Sequence, residues 1–107
     1  MITAAIYTAN QSISGFKITG HAGFAPYGED IVCAAVSMLA ITVANSLEEQ
    51  VGEVDVQSQD DGMIACTLPG ELSKERALKA QAILRTLEIG LEGIKAEYPK
   101  HIRLIHQ

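Results

Sequence analysis

A histidine and a cysteine stand on either side of a glycine-rich stretch near the start of the chain. His21 directly follows Gly20, and Cys33 comes later, with Gly23 and Gly28 between the two. A thiolate is a strong nucleophile, and an imidazole within hydrogen-bond reach can take the proton from the thiol. Because the intervening stretch is long enough to fold back, the two side chains could form a Cys–His pair for nucleophilic catalysis.

Two further polar residues flank the cysteine. Asp30 is a favoured N-cap residue; if it caps the next helix, Cys33 lies in the first turn, where unpaired backbone N–H groups and the helix dipole favour an anion. Those N–H groups are also the expected donors to the oxyanion of peptide cleavage. Asp30 is equally consistent with orienting His21 and with acting as a plain cap. Ser37, one turn after Cys33, either positions thiol or substrate or bonds back to its own helix.

The stretch from residue 20 to residue 29 is interpreted as a loop, since it holds three glycines and a proline in ten residues. We expect this loop to be more mobile than the elements it joins, as a site that admits a peptide requires. Its aromatic residues, Phe24 and Tyr27, are interpreted as packing residues that could also line a peptide groove.

The remaining thiol and imidazoles carry no predicted chemistry. Cys66 alternates with Ile64 and Leu68, so we expect it on the core face of a strand. His101 and His106 stand five residues apart in a predicted strand and therefore point to opposite faces. Since no paired spacing of metal ligands occurs, we predict no metal site, and the expected chemistry needs no cofactor.

Hydrophobic patterning predicts the elements that hold these residues. The expected strands cover residues 2–8, 13–19, 53–57, 63–68 and 102–105. An apolar helix is predicted over residues 31–50, and a second helix is predicted to begin near Ser73 and to end at Pro99. The order ββαββαβ predicts an α+β fold, a two-layer α/β sandwich with a mixed sheet and both helices packed on one face.

Composition and charge narrow the function classes. The 107 residues allow a single domain over residues 1–107, and 48% hydrophobic with 20% charged residues is typical of a folded globule. Two cysteines do not make a disulfide framework, and the N-terminus lacks the layout of a signal peptide, so a cytoplasmic location is expected. A net charge of −5 argues against direct nucleic-acid binding and suits a basic partner.

The apolar run over residues 31–47 is the one stretch that resembles a membrane span. It contains Ser37, Thr42, Asn45 and Ser46, whereas a span needs about 20 mostly apolar residues. We therefore interpret it as a buried core helix and expect no membrane partner. Because apolar residues surround it nearly all round, the helix is expected to be central.

The pattern Gly-His-Ala-Gly at residues 20–23, followed by Gly-Glu-Asp-Ile-Val-Cys-Ala-Ala-Val-Ser at residues 28–37, resembles the signature of the ribosomal-processing cysteine proteases of Firmicutes and related bacteria. The length and the element order of the whole chain are also similar to that family. The resemblance implies a cysteine endopeptidase that removes the N-terminal extension of a large-subunit ribosomal protein of the bL27 type. It further implies His21 and Cys33 as the catalytic dyad, Asp30 and Ser37 as supporting residues, a mobile loop between the dyad residues, and a homodimer.

Two alternatives to an enzyme stay open at the level of the residues. A free cysteine is more often a small buried hydrophobic residue than a nucleophile. The same domain could then be a non-catalytic peptide-binding module or a ribosome-assembly factor, neither of which gives Cys33 a special role. An enzyme would convert many substrate molecules per chain, whereas a binding module or an assembly factor would only bind its partner stoichiometrically.

Overall fold

The strands and helices follow the predicted order. The structure is a computed structural model that describes residues 1–26 and 28–107, and Tyr27 lies outside the described residues. The elements are β1 (Ile2–Ala9), β2 (Ser12–Thr19), α1 (Ile31–Gln50), β3 (Asp55–Gln59), β4 (Met63–Thr67), α2 (Lys74–Glu97) and β5 (Ile102–His106).

The five strands form one mixed sheet in the order β3-β4-β2-β1-β5. β1 pairs antiparallel with β2 and parallel with β5, which the chain reaches after crossing over through α2. The α1 helix contacts β4, and α2 contacts β2, β5 and α1, so both helices cover one side of the sheet. The predicted two-layer α+β architecture is therefore confirmed.

The central hairpin has a tight turn that its residues permit. Asn10 and Gln11 both take positive φ angles, 54° and 69°, as in the two-residue turns whose twist matches that of paired strands. Behind the turn, Ile6 of β1 lies directly across from Phe16 of β2, and both side chains are fully buried. The pair anchors the sheet in the core beneath the helices.

Hydrogen bonds join the C-terminal end of α1 to the first turn of α2. Ser73, near which the second helix is predicted to begin, caps the start of α2 by accepting a hydrogen bond from the Arg76 N–H. The Arg76 side chain then donates to the carbonyl oxygen of Val51, at 2.7 Å, and to that of Gly52, at 3.1 Å. These carbonyls follow the last residues of α1, so the guanidinium fixes the end of one helix against the beginning of the other.

One face of α1 is open, and the expectation of a central helix is wrong. Its packed face buries residues such as Val36 and Leu47, whereas Ile31, Met38 and Ile41 are 56%, 66% and 49% exposed. In a two-layer domain a helix packs against the sheet and one neighbour only, so apolar residues all round do not imply burial all round. Among the described residues α1 alone is long and apolar enough to span a membrane, a test that a core helix also passes.

The third strand starts later than predicted, at Asp55 rather than at residue 53. Gly52 and Glu53 have left-handed φ angles of 83° and 58°, and the Gly52 N–H caps the end of α1 by donating to the Leu47 carbonyl. These residues belong to the turn that leaves the helix, so pairing with β4 begins only at Asp55.

Candidate active site

Asp30 connects the glycine-rich loop to the start of α1. Its Oδ1 accepts hydrogen bonds from the N–H groups of Val32, at 3.0 Å, and Cys33, at 2.9 Å. Its Oδ2 accepts from the N–H groups of Phe24, at 3.0 Å, and Ala25, at 3.3 Å. Burial opposes ionisation, but these backbone hydrogen bonds outweigh it and hold the pKa of the carboxyl below its usual value. The N-cap prediction is confirmed, and the same carboxylate also fixes the loop.

The N–H groups of Val32, Cys33 and Ala34 are consequently not free for an oxyanion. Val32 and Cys33 both donate to the Asp30 carboxylate, and the Ala34 N–H donates to the Asp30 carbonyl, at 3.0 Å. The expectation that these groups would serve as oxyanion donors is therefore wrong, because the cap uses them. The donor that faces the sulfur comes from the loop: the Ala22 N–H lies 3.1 Å from Cys33 Sγ.

The first half of the loop is anchored to the turn between α2 and β5. The Ala22 side chain is buried, and its carbonyl oxygen lies 2.9 Å from Nδ1 of His101. Phe24 packs edge-on against the rings of Tyr98 and His101, with centroid separations of 5.5 Å and 5.4 Å. Sequence reasoning missed His101 because no local pattern connects residues so far apart in the chain.

His21 lies in the same groove, and no hydrogen bond joins it to the thiol among the described residues. Its imidazole sits over Gly62 in the turn between β3 and β4, where a Cβ on Gly62 would come 3.1 Å from Cε1. Within the described part of the chain, the hydrogen bond that Cys33 Sγ accepts comes from Ala22 and not from His21. The fold thus places His21 and Cys33, the two predicted dyad residues, in one groove. The hydrogen bond between their side chains is not formed.

His21 and Cys33 both line an open groove with a volume of about 840 Å³. One wall is the side of α1 that carries Cys33, Ser37 and Ile41, and the other belongs to β3, β4 and the turn that joins them. Apolar side chains contribute to both walls: those of Val36, Ala40, Ile41, Val56, Met63 and Ile64. A groove of this size, with apolar walls and a partly exposed thiol, suits an extended peptide.

Ser37 lies on the helical wall of the groove, one turn beyond Cys33, and is exposed. Its hydroxyl has no hydrogen bond to the rest of the described chain, whereas Thr86 of α2 bonds back to the Ala82 carbonyl at 2.8 Å. The bond from Ser37 to its own helix is therefore not formed, and a role in positioning thiol or substrate stays a prediction.

The three loop glycines all have positive φ angles, 89° at Gly20, 68° at Gly23 and 87° at Gly28. At Gly20 the chain also passes so close to β1 that a Cβ would lie 2.4 Å from the Met1 carbonyl oxygen. Hydrogen bonds to Asp30, Cys33 and His101 hold residues 22–25 of the loop in place. For the other residues of the loop, the mobility expected from the sequence stays a prediction. These other residues include Tyr27, which lies outside the described residues.

The comparisons with known proteins identify the family. The family model for cysteine protease Prp matches residues 1–103. The chain belongs to the cysteine protease Prp family. The ribosomal processing cysteine protease Prp of Bacillus subtilis strain 168 is 32% identical over 108 residues, covering 97% of this chain and 96% of the relative. That of Staphylococcus aureus strain Mu50 is 30% identical over 106 residues, covering 97% of both chains.

Solved structures agree with this assignment. The S. aureus Prp protease in complex with a covalently linked product peptide superposes with a TM-score of 0.87 at 28% identity, and the two chains are covered completely. The same protease in complex with a substrate peptide gives a TM-score of 0.81 at 27% identity, again with complete coverage. As a member of the Prp family the chain is a cysteine protease, so the predicted enzyme class is confirmed and the two non-catalytic alternatives are set aside.

The other thiol of this Prp family member is unsuited to the reaction. Cys66 is 1% exposed on the core face of β4, as predicted. Burial, with smaller contributions from the negative charges of Glu48 and Asp55, raises the pKa of its thiol to about 11. Cys33 is partly exposed and lines the groove. Of the two cysteines, only Cys33 can therefore meet a peptide.

His106 lies outside the groove in a surface cluster of charges. Its Nε2 is 2.6 Å from an oxygen of Glu88, whose other oxygen accepts a hydrogen bond from Arg85. The described residues include no group of three or more His, Cys, Asp or Glu side chains that could hold a metal ion. His106 therefore has a structural partner, and nothing connects it to the thiol.

Proposed function

We propose that this chain is an endopeptidase with Cys33 as nucleophile and His21 as general base, and that it removes the N-terminal extension of a large-subunit ribosomal protein of the bL27 type in the cytoplasm. The observation that carries the proposal is the Ala22 N–H 3.1 Å from Cys33 Sγ, in the first turn of α1 and in the lining of the groove. A backbone donor aimed at sulfur stabilises a thiolate, which is the reactive form.

Acylation begins with transfer of the thiol proton from Cys33 to the His21 imidazole. The sulfur then attacks the scissile carbonyl carbon, and the electron pair of the C=O bond moves to oxygen. When the tetrahedral intermediate collapses, the C–N bond breaks and the leaving amine takes the proton from His21. His21 is exposed, so rotation of its side chain away from Gly62 can bring the ring to the sulfur. Catalytic hydrogen bonds often tighten only when substrate binds.

The Ala22 N–H is the donor best placed for the oxyanion. Once the sulfur has bonded to carbon, it no longer carries the charge that the N–H faced. The developing oxyanion is attached to the same carbon and therefore lies within reach of a donor already held next to Sγ. Because Asp30 occupies the N–H groups of Val32 and Cys33, the loop takes the role that the helix start was expected to play.

Deacylation uses the same residues in reverse. His21 takes a proton from water as the oxygen of that water attacks the thioester carbon, and the C–S bond then breaks with return of the proton to sulfur. The products are the free extension, with a new carboxylate, and the shortened protein. The proposed catalytic cycle is complete without a cofactor.

The substrate assignment rests on the relatives and on charge. The matched B. subtilis and S. aureus proteins are ribosomal processing proteases, and the S. aureus protease binds a substrate peptide. The net charge of −5 in this chain favours encounter with a basic ribosomal protein. Ser37, on the groove wall beside Cys33, offers a hydroxyl to the backbone of the bound extension.

We also propose a homodimer, as the family resemblance implies. The exposed apolar side chains Ile31 and Met38 of α1, which do not line the groove, support this part of the proposal. Clusters of apolar side chains on a protein surface mark sites of association or ligand binding.

The proposal is tested by mixing a substoichiometric amount of the purified protein with the N-terminally extended ribosomal protein of its own bacterium and following the substrate mass by mass spectrometry. We expect a shortened product to accumulate over many turnovers. Cys33→Ala should abolish cleavage and His21→Ala should reduce it at least about 100-fold, whereas Cys66→Ala serves as the matched control. Stoichiometric binding with no product, or cleavage by Cys33→Ala, would contradict the proposal.

A further inference from the structure

We infer that His101 is a positioning residue for the reaction, acting through Ala22 on the sulfur of Cys33. The inference rests on the proposed function, because it gives the Ala22 N–H a role in thiolate and oxyanion stabilisation. His101 lies between α2 and β5, far from Cys33 in the sequence, and its imidazole is partly buried. Its effect is on the geometry of a backbone donor and not on the substrate.

The connection consists of two hydrogen bonds made by one residue. His101 Nδ1 lies 2.9 Å from the Ala22 carbonyl oxygen, and the Ala22 N–H lies 3.1 Å from Cys33 Sγ. Ala22 as a whole is also buried, at 3% exposure, so packing around this residue adds to the contacts of its N–H and its carbonyl. Release of the carbonyl leaves the loop free to rotate about the bonds that direct the N–H toward the sulfur.

The ring of His101 is itself fixed by its neighbours. Phe24 packs edge-on against it with an interplanar angle of 75°, and Phe24 in turn packs against Tyr98 at 83°. A carbonyl oxygen can only accept, so Nδ1 must carry a proton, in either the neutral or the charged imidazole. The arrangement therefore needs a donor at the Nδ1 position in particular.

Two substitutions separate this requirement from simple loss of bulk. The amide nitrogen of an asparagine reaches about as far from the backbone as Nδ1, whereas that of a glutamine reaches about as far as Nε2. His101→Asn can keep the hydrogen bond to Ala22, but His101→Gln and His101→Ala cannot. His106→Ala, which removes the exposed histidine of the Glu88 cluster, is the matched control.

The experiment measures steady-state cleavage of the extended ribosomal protein, the iodoacetamide labelling rate of Cys33, and thermal unfolding for each variant. We expect His101→Ala and His101→Gln to lose about 10- to 100-fold in kcat with little change in KM, and to label more slowly at Cys33. His101→Asn and His106→Ala should stay within a few-fold of the parent enzyme. Labelling does not depend on the substrate, so it reports on the sulfur even if the ribosomal substrate is wrong.

Equal activity and equal labelling in the asparagine and glutamine variants, both folded, would overturn the inference. So would wild-type kcat and labelling in His101→Ala. Loss of cleavage in all His101 variants together with a lower unfolding temperature in each would assign His101 a structural role only, and would also overturn it. Full cleavage by Cys33→Ala would instead overturn the proposed function, which keeps the two failures distinguishable.

Discussion

The imidazole of His21 lies over Gly62, so closely that a Cβ at Gly62 would come 3.1 Å from Cε1 and 3.5 Å from Nε2. Gly62 also has a φ of 95°, a conformation that residues with side chains rarely adopt. The turn between β3 and β4 therefore shapes the place of the proposed base.

Replacement of Gly62 by alanine should displace the imidazole and strain the turn. We expect Gly62→Ala to destabilise the fold by about 1 to 3 kcal/mol because of its positive φ, and to lower kcat/KM by about tenfold or more. Thermal unfolding and the cleavage assay check the two parts separately. Gly70→Ala is the control, since a Cβ there meets no atom within 4 Å. Wild-type activity in folded Gly62→Ala would show that the place of His21 over this glycine is irrelevant.

The two cysteines should differ sharply toward a thiol reagent. Cys66 is buried with a pKa of about 11, so only about 0.1% of it would be thiolate at pH 8 even if the reagent could reach it. Cys33 is partly exposed and faces the Ala22 N–H. We expect iodoacetamide at pH 6 to 8.5 to label Cys33 at least about tenfold faster, and both thiols to label alike in urea. Equal and slow labelling of both in the folded protein would be the contrary result.

Asp30 both caps α1 and fixes the loop, and its substitution by serine or by alanine distinguishes the two functions. Serine is a good N-cap, so Asp30→Ser should keep the start of α1 while losing the hydrogen bonds from Phe24 and Ala25. Asp30→Ala loses both. We expect the unfolding temperature of Asp30→Ser to lie above that of Asp30→Ala, with activity reduced in both. If Asp30→Ser cleaved like the parent enzyme, fixation of the loop by the carboxylate would not matter for catalysis.

Cap residues and patterning predict much of this fold, for identifiable reasons. Asp30 and Ser73 mark the helix starts correctly because each side chain bonds to N–H groups only a few residues away. Cys66 was placed correctly in the core because alternation along a strand decides its face. The predicted start of β3 is wrong because the left-handed conformations of Gly52 and Glu53, after α1, cannot be recognised from the pattern of apolar residues.

The site was less predictable, because its decisive contacts join distant segments. The sequence motif indicates Cys33 and His21, but it does not reveal that the cap uses the first-turn N–H groups and that Ala22 supplies the donor instead. His101 meets Ala22 only through the tertiary fold. Similarly, the apolar sequence of α1 does not show which face the sheet leaves open, so the expectation of a central helix fails at Met38 and Ile41.

The proposed homodimer is checked by analytical ultracentrifugation of the full chain. We expect a mass of about twice 11.4 kDa at micromolar concentrations, because Ile31 and Met38 of α1 are large exposed apolar side chains outside the groove that association would cover. A single species near 11.4 kDa over a hundredfold range of concentration would be incompatible with the proposal.

The central claim is that Cys33 attacks the substrate and forms a thioester, and trapping that intermediate tests it most directly. The protein is mixed with an excess of the extended ribosomal protein, quenched in acid within milliseconds to seconds, and digested for mass spectrometry. The account predicts that the cleaved extension, lighter by one water, is attached to Cys33, that no adduct forms in Cys33→Ala, and that Cys66→Ala behaves like the parent enzyme. An adduct mapped to another residue, or continued cleavage by Cys33→Ala, would contradict it.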